Sequence, residues 1–183
     1  MFRYLDLKIE LGSLFRLLPA VFLIHDLEEI LTVKEFWREN REEIPLPPSI
    51  KERLEVTTGE MALAVACMSA ASVAASGMAA RSPRSGVGPD LFAAVAAVRF
   101  FNAFVHLAQT LLLRRYTPGV VTALAVSFPS SLYALLRLRS ENLLAERSLP
   151  RWFVVGALLH GPVVVGAQAF GRALARLLHV GSS

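Results

Sequence analysis

Residues 21–33 run Val21-Phe22-Leu23-Ile24-His25-Asp26-Leu27-Glu28-Glu29-Ile30-Leu31-Thr32-Val33, and the rest of the chain is organised around them. His25, Asp26, Glu28 and Glu29 stand inside an apolar run that extends from about Leu11 to Val33, a length that crosses a bilayer as a helix. On a helix His25, Glu28 and Glu29 are spaced i, i+3 and i+4 and share one face. Asp26 points roughly 100° away from His25, towards a different neighbour. Ionisable groups inside a membrane span are costly, face the bundle interior and mark function.

Outward from this stretch, long apolar blocks alternate with short polar connections. The 183-residue chain is 54% hydrophobic and 19% charged, against roughly 45–50% and 25% in soluble domains, and its mean hydropathy is +0.49. The expected fold is all-α: a polytopic transmembrane helical bundle of about five spans, in one integral membrane domain over residues 1–183. The first block does not read as a signal peptide, because the acidic HDLEE stretch follows where a small-residue cleavage site belongs. The net charge is +4, but the basic residues flank the apolar blocks as Arg81 and Arg84, Arg114 and Arg115, Arg137 and Arg139, and Arg172 and Arg176. That placement suits headgroup contact and snorkelling, and it excludes nucleic acid as a partner. One cysteine, Cys67, excludes an internal disulfide and a multi-cysteine metal site.

The spans are expected near residues 12–33, 59–80, 90–113, 119–138 and 151–178. Pro19 should kink the first or set its entry angle. Residues 34–58 form a polar loop containing Pro45-Leu46-Pro47-Pro48. It reads as a short amphipathic piece followed by an extended turn, a solvated loop with a lid as the alternative, and its Trp37 suits an interface position. The second span is rich in Ala, Ser and Gly, which let helices approach closely in lipid. Thr57 or Thr58 is placed to cap it, and Glu60 sits in its first turn, where the helix dipole favours an acid. The third span carries Arg99, Asn102, His106 and Gln109 as a second polar stripe and ends at Arg114-Arg115-Tyr116-Thr117-Pro118-Gly119, whose Pro-Gly pair favours a turn. Pro129 breaks the fourth span, where Ser127, Ser130, Ser131 and Tyr133 are available to freed carbonyls. The fifth holds His160, and its Gly156, Gly161, Gly166 and Gly171 suggest a close packing face. His179 lies past it, exposed. Basic residues are nearly balanced on the two sides, so no orientation follows.

Three of the four histidines, His25, His106 and His160, thus fall in three different spans. Imidazole and carboxylate together are a ligand set for a divalent ion such as zinc, iron or manganese, and inward-facing pairs at helical spacing are how bundles build such sites. The expected metal ligands are His25, Glu28, Glu29, His106 and His160. The expected catalytic residues are Glu28, Glu29, Asn102 and Arg99: Asn102 supports the site or contacts substrate, and Arg99 is expected to neutralise Glu28 or Glu29.

With these residues in hand, the chain resembles the HXXEE family of small bacterial integral membrane proteins. The likeness lies in His25-Asp26-Leu27-Glu28-Glu29, in Asn102-x-x-x-His106, and in Tyr116-x-Pro118-Gly119 followed by Val121-Thr122-Ala123, over residues from about 20 to 130. It implies the same site residues and a bacterial plasma membrane, but no particular activity. A looser similarity is to intramembrane proteases related to the CAAX prenyl protease, which place a Glu pair on one helix and histidines on two later ones. Here Ile30-Leu31-Thr32-Val33 follows where that family has Arg, Asn102 stands where it has Phe, and His25 has no counterpart.

The leading expectation is a membrane-embedded metal-dependent enzyme, a hydrolase or oxidoreductase, that activates water or oxygen to act on a lipid-like or apolar substrate. The alternatives are a proton- or ion-coupled small transporter using the same His and Glu residues, a metal-free glutamate-type intramembrane protease, and an accessory or scaffolding subunit. The expected partners are the lipid bilayer, the apolar small molecule and, as a homo-oligomer, further copies of the chain.

Overall fold

In a computed structural model that describes residues 9–84, 87–144 and 148–178, every regular element is helical. In order these are α1 (Leu11–Asn40), α2 (Pro48–Leu54), α3 (Thr58–Arg81), α4 (Gly88–Leu113), α5 (Val120–Thr122), a π-helical turn (Ala123–Ser127), α6 (Phe128–Ser140) and α7 (Leu149–Leu178). Four stretches, α3, α4, Val120–Ser140 and α7, are long and apolar enough to cross a membrane. The 30-residue α1 has the length but carries Asp26, Glu28 and Glu29 at its middle. Outward-facing apolar side chains such as Leu31, Leu112, Leu158 and Val165 are exposed, which suits contact with lipid chains. The chain is the helical bundle of an integral membrane protein.

Successive long helices run antiparallel, which places two apolar cores at opposite ends. One joins Leu14, Phe15, Leu18 and Phe22 at the start of α1 to Ala79 at the end of α3, Phe92, Ala93, Ala96 and Ala97 at the start of α4, Leu135 and Leu138 of α6, and Trp152 of α7. The other joins Val33 and Trp37 to Ile44 and Val56, with Met61 and Leu113 against them. The polar residues of α1 and α4 lie between the two.

Local chemistry explains the element ends. Thr57 is the N-cap of α3: its hydroxyl accepts from the Glu60 N–H at 3.1 Å, and the Glu60 carboxylate accepts from the Thr57 N–H at 2.9 Å. Glu60 is therefore a capping residue. Pro129 has no N–H and its ring excludes a carbonyl four residues back. The helix answers with the π turn just before it, and Ser130 Oγ donates to the Val126 carbonyl at 2.7 Å. Ser127 and Ser131, expected in the same role, have buried hydroxyl oxygens without partners among the described residues. Gly156 and Gly171 bring α7 onto the backbones of α4 and α3: an added Cβ would collide with the Ala97 carbonyl at one and lie 2.6 Å from the Glu60 carbonyl at the other. Gly161 and Gly166, grouped with them by sequence, face open space. The Ala-rich α3, expected to be central, packs on α1, α4 and α7, and α4 packs on α3, α6 and α7.

Within the polar stretch 34–58, the amphipathic piece is the end of α1 and the proline-rich part carries a short helix. Nothing breaks the helix before Asn40, so Lys34–Asn40 continue α1, and Pro48 opens the short α2. Trp37, expected at an interface, is 9% exposed in the second core. The segment is fastened down. Arg115 donates to Asn40 Oδ1 and to Glu43 Oε2, both at 2.5 Å, and Arg172 donates to the Glu55 carbonyl at 3.1 Å. His179 and residues 1–8 lie outside the described residues.

Candidate metal centre

Each ionisable residue of the HDLEE stretch takes a different partner. His25, fully buried, places Nδ1 3.1 Å from the Gly119 carbonyl and 3.2 Å from Thr122 Oγ1. A carbonyl only accepts, so Nδ1 carries the proton and Nε2 presents its lone pair. That lone pair faces Glu29 Oε1 at 3.8 Å and accepts from Asn102 Nδ2 at 3.0 Å. The carboxamide's oxygen then accepts from His160 Nε2 at 2.7 Å. One backbone carbonyl thereby sets the proton positions of a chain through three side chains on α1, α4 and α7.

His106 reaches the same point from α4. Its Nε2 is 3.2 Å from Glu29 Oε1, its ring stands edge-on to that of His25 with centroids 4.9 Å apart, and its Nδ1 is buried without a partner among the described residues. One ligand atom each from His25, Glu29 and His106 lie within 4.8 Å of one another. Four-coordinate zinc with bonds of roughly 2.0–2.1 Å needs ligand separations near 3.3 Å. The Glu29–His106 pair is already there at 3.2 Å, and Glu29 and His25 stand 3.8 Å apart. The trio as a whole, spread over 4.8 Å, must draw in by about 1.5 Å at its widest to hold an ion. The His25 tautomer fits too, since a ligating imidazole ordinarily gives its other N–H to a carbonyl or carboxylate. Asn102 occupies the lone pair such an ion takes, so binding would release its N–H.

Gly119 makes the convergence sterically feasible. It sits at φ +84°, and an added Cβ would lie 2.8 Å from both His25 Cε1 and Glu29 Cγ and 3.0 Å from His106 Cε1. Gly119 and Thr122 carried no assigned role in the sequence reading. The signal available was the Pro-Gly turn directly after the His106 helix.

Three expected site residues stand elsewhere. Arg99 does not pair with Glu28 or Glu29: its two Nη atoms bind the Asp26 oxygens at 2.5 and 2.8 Å, with Asp26 fully buried and Arg99 4% exposed. The rotation of α4 on α1 aims Arg99 at the residue one step round the helix. Glu28 is no member of the ligand trio. It accepts from Tyr116 Oη at 2.7 Å, from the Thr122 N–H at 2.8 Å and from Thr122 Oγ1, and so clamps the turn that carries Gly119. Partial burial pushes the Tyr116 phenol up, so it stays protonated and donates. His160 stops at Asn102, one residue short of the trio.

The centre opens on a cavity of about 530 Å³ bounded by α1, α3, α4, α7 and the segment around α2. Glu29, Asn102, His106 and His160 form its polar end, and Ile44, Leu46, Leu54 and Val56 help to close it. The 34–58 region is therefore a wall of the cavity.

A family model described as a protein of unknown function with HXXEE motif matches residues 16–134. No curated protein and no solved structure matches the chain. The matched span contains His25, Glu28, Glu29, Arg99, Asn102, His106 and Gly119, and the chain belongs to the HXXEE family.

Proposed function

We propose that this chain is a membrane-embedded, metal-dependent enzyme of the bacterial plasma membrane that acts on a lipid-like or apolar substrate. One observation carries the reading: ligand atoms of His25, Glu29 and His106 converge at one end of a largely apolar cavity. Three protein ligands with a further position left over is the pattern of a catalytic rather than a structural ion. When bound, a divalent ion such as zinc, iron or manganese supplies Lewis-acid or redox chemistry to water or oxygen, making the enzyme a hydrolase or an oxidoreductase.

The remaining work belongs to the chain. The Gly119 carbonyl holds His25 in its ligating tautomer. Asn102, whose carboxamide keeps a second N–H beyond the one given to His25, and His160 supply hydrogen bonds to the substrate's polar group. Asp26 cancels the charge of Arg99, so the interior field at the site is that of Glu29 and the ion. The apolar wall excludes bulk water.

Glu28 is a positioning residue here. Glu28→Ala is expected to leave the helical content intact while weakening metal affinity 10–100-fold, the usual effect of removing support behind a ligand. Metal titration of the purified variant checks this, and unchanged affinity would remove Glu28 from the site. For the whole reading, protein reconstituted in liposomes should turn over apolar esters or oxidisable lipids only when metal-loaded. Substrate-dependent proton flux that persists under chelation would make the same residues those of a transporter.

A further inference from the structure

Charge and register within the cavity narrow what fits it. Among the described residues lining it, Glu29 and Arg99 are the only acidic or basic side chains apart from the histidines. Arg99 has no charge to offer, because both Nη atoms are bound to Asp26 and its Cζ lies 5.2 Å over the Phe22 ring. A phosphate or carboxylate entering this wall would lose its water, find no free cation and face the Glu29 carboxylate. Uncharged polar groups are provided instead, at two depths. The inner pair is Asn102 and His160. The outer pair is Gln109 and Gln168, whose carboxamides have no hydrogen-bond partner among the described residues. Seven residues of α4 and eight of α7 separate the pairs, roughly 10–12 Å of helical rise, and Met68, Val105 and Val164 line the wall as well.

We propose that the cavity binds an uncharged, chain-shaped amphiphile whose single hydroxyl, carbonyl or amide head reaches the Asn102–His160 pair, with its apolar chain extending past Val105 and Val164 beneath the segment around α2. The inference rests on the proposed function in taking this cavity as the substrate chamber. Binding itself is measured on metal-free protein, so failure to retain an ion leaves the expectation below unchanged.

The chain carries its own reporter. Of its two tryptophans, Trp37 lines the cavity and Trp152 lies in the core at the opposite end. Chelator-treated full-length protein in lipid nanodiscs is titrated with a medium-chain alcohol brominated along its chain, and separately with the phosphate monoester of the same chain. The alcohol should quench part of the tryptophan emission saturably. Val164→Phe, which narrows the cavity, should weaken that binding about tenfold, as should Asn102→Leu, which removes the head's partner. The phosphate ester should quench only as its partitioning into lipid dictates. Saturable binding of the ester as tight as that of the alcohol would overturn the proposal. So would alcohol quenching that never saturates or that neither variant changes.

Discussion

Asp26→Ala is expected to destabilise the protein by about 3–5 kcal/mol, the cost of leaving a buried guanidinium without its partner. Asp26 is fully buried, Arg99 is 4% exposed, and two hydrogen bonds join them between α1 and α4. Reversible denaturation in mixed micelles reads the loss. Replacing both at once, Asp26→Leu with Arg99→Met, should recover most of it, because a buried ion pair exchanged for packed apolar side chains is often neutral or better. The double variant should also keep its metal, since neither residue belongs to the His25–Glu29–His106 trio. A single variant as stable as the native chain would show that the pair does not hold α1 to α4.

Gly119→Ala carries the second large effect, on the site rather than the scaffold. A left-handed backbone costs a non-glycine residue roughly 1–2 kcal/mol, and the methyl group arrives 2.8 Å from His25 Cε1 and Glu29 Cγ. These atoms belong to two of the three ligands, and they cannot retreat without opening the trio. The expected result is a folded bundle that retains no metal, checked by circular dichroism alongside metal content. Gly161→Ala, placed where an added Cβ meets open space, should be silent in both. Native metal content in Gly119→Ala would show that the ion sits elsewhere.

Much of this site was legible in the sequence because lipid makes polar residues conspicuous. His25 and Glu29 one turn apart, and His106 in another apolar run, stand out against their surroundings and do converge. Asp26 was correctly turned away from that face, but its partner depends on how α4 is rotated against α1, which one helix's periodicity does not contain. Glu28 shares the face of His25 by spacing. It is drawn off by the N–H of Thr122, which points at it only because Gly119 turns the chain through a left-handed step. His160 has the right chemistry and depth. The Asn102 carboxamide, lying between it and His25, keeps it out of the trio. Trp37 looked interfacial because its neighbours in sequence are charged. Ile44 and Val56, which pack with it, come from a segment whose polar composition and prolines read as a solvated loop.

Elemental analysis of detergent-purified protein, native beside His25→Ala and His106→Ala, tests the metal centre most directly. About one zinc, iron or manganese ion per chain in the native protein, and almost none in either variant, is the predicted result. No ion in the native protein even after reconstitution, or the same content in all three, would contradict it.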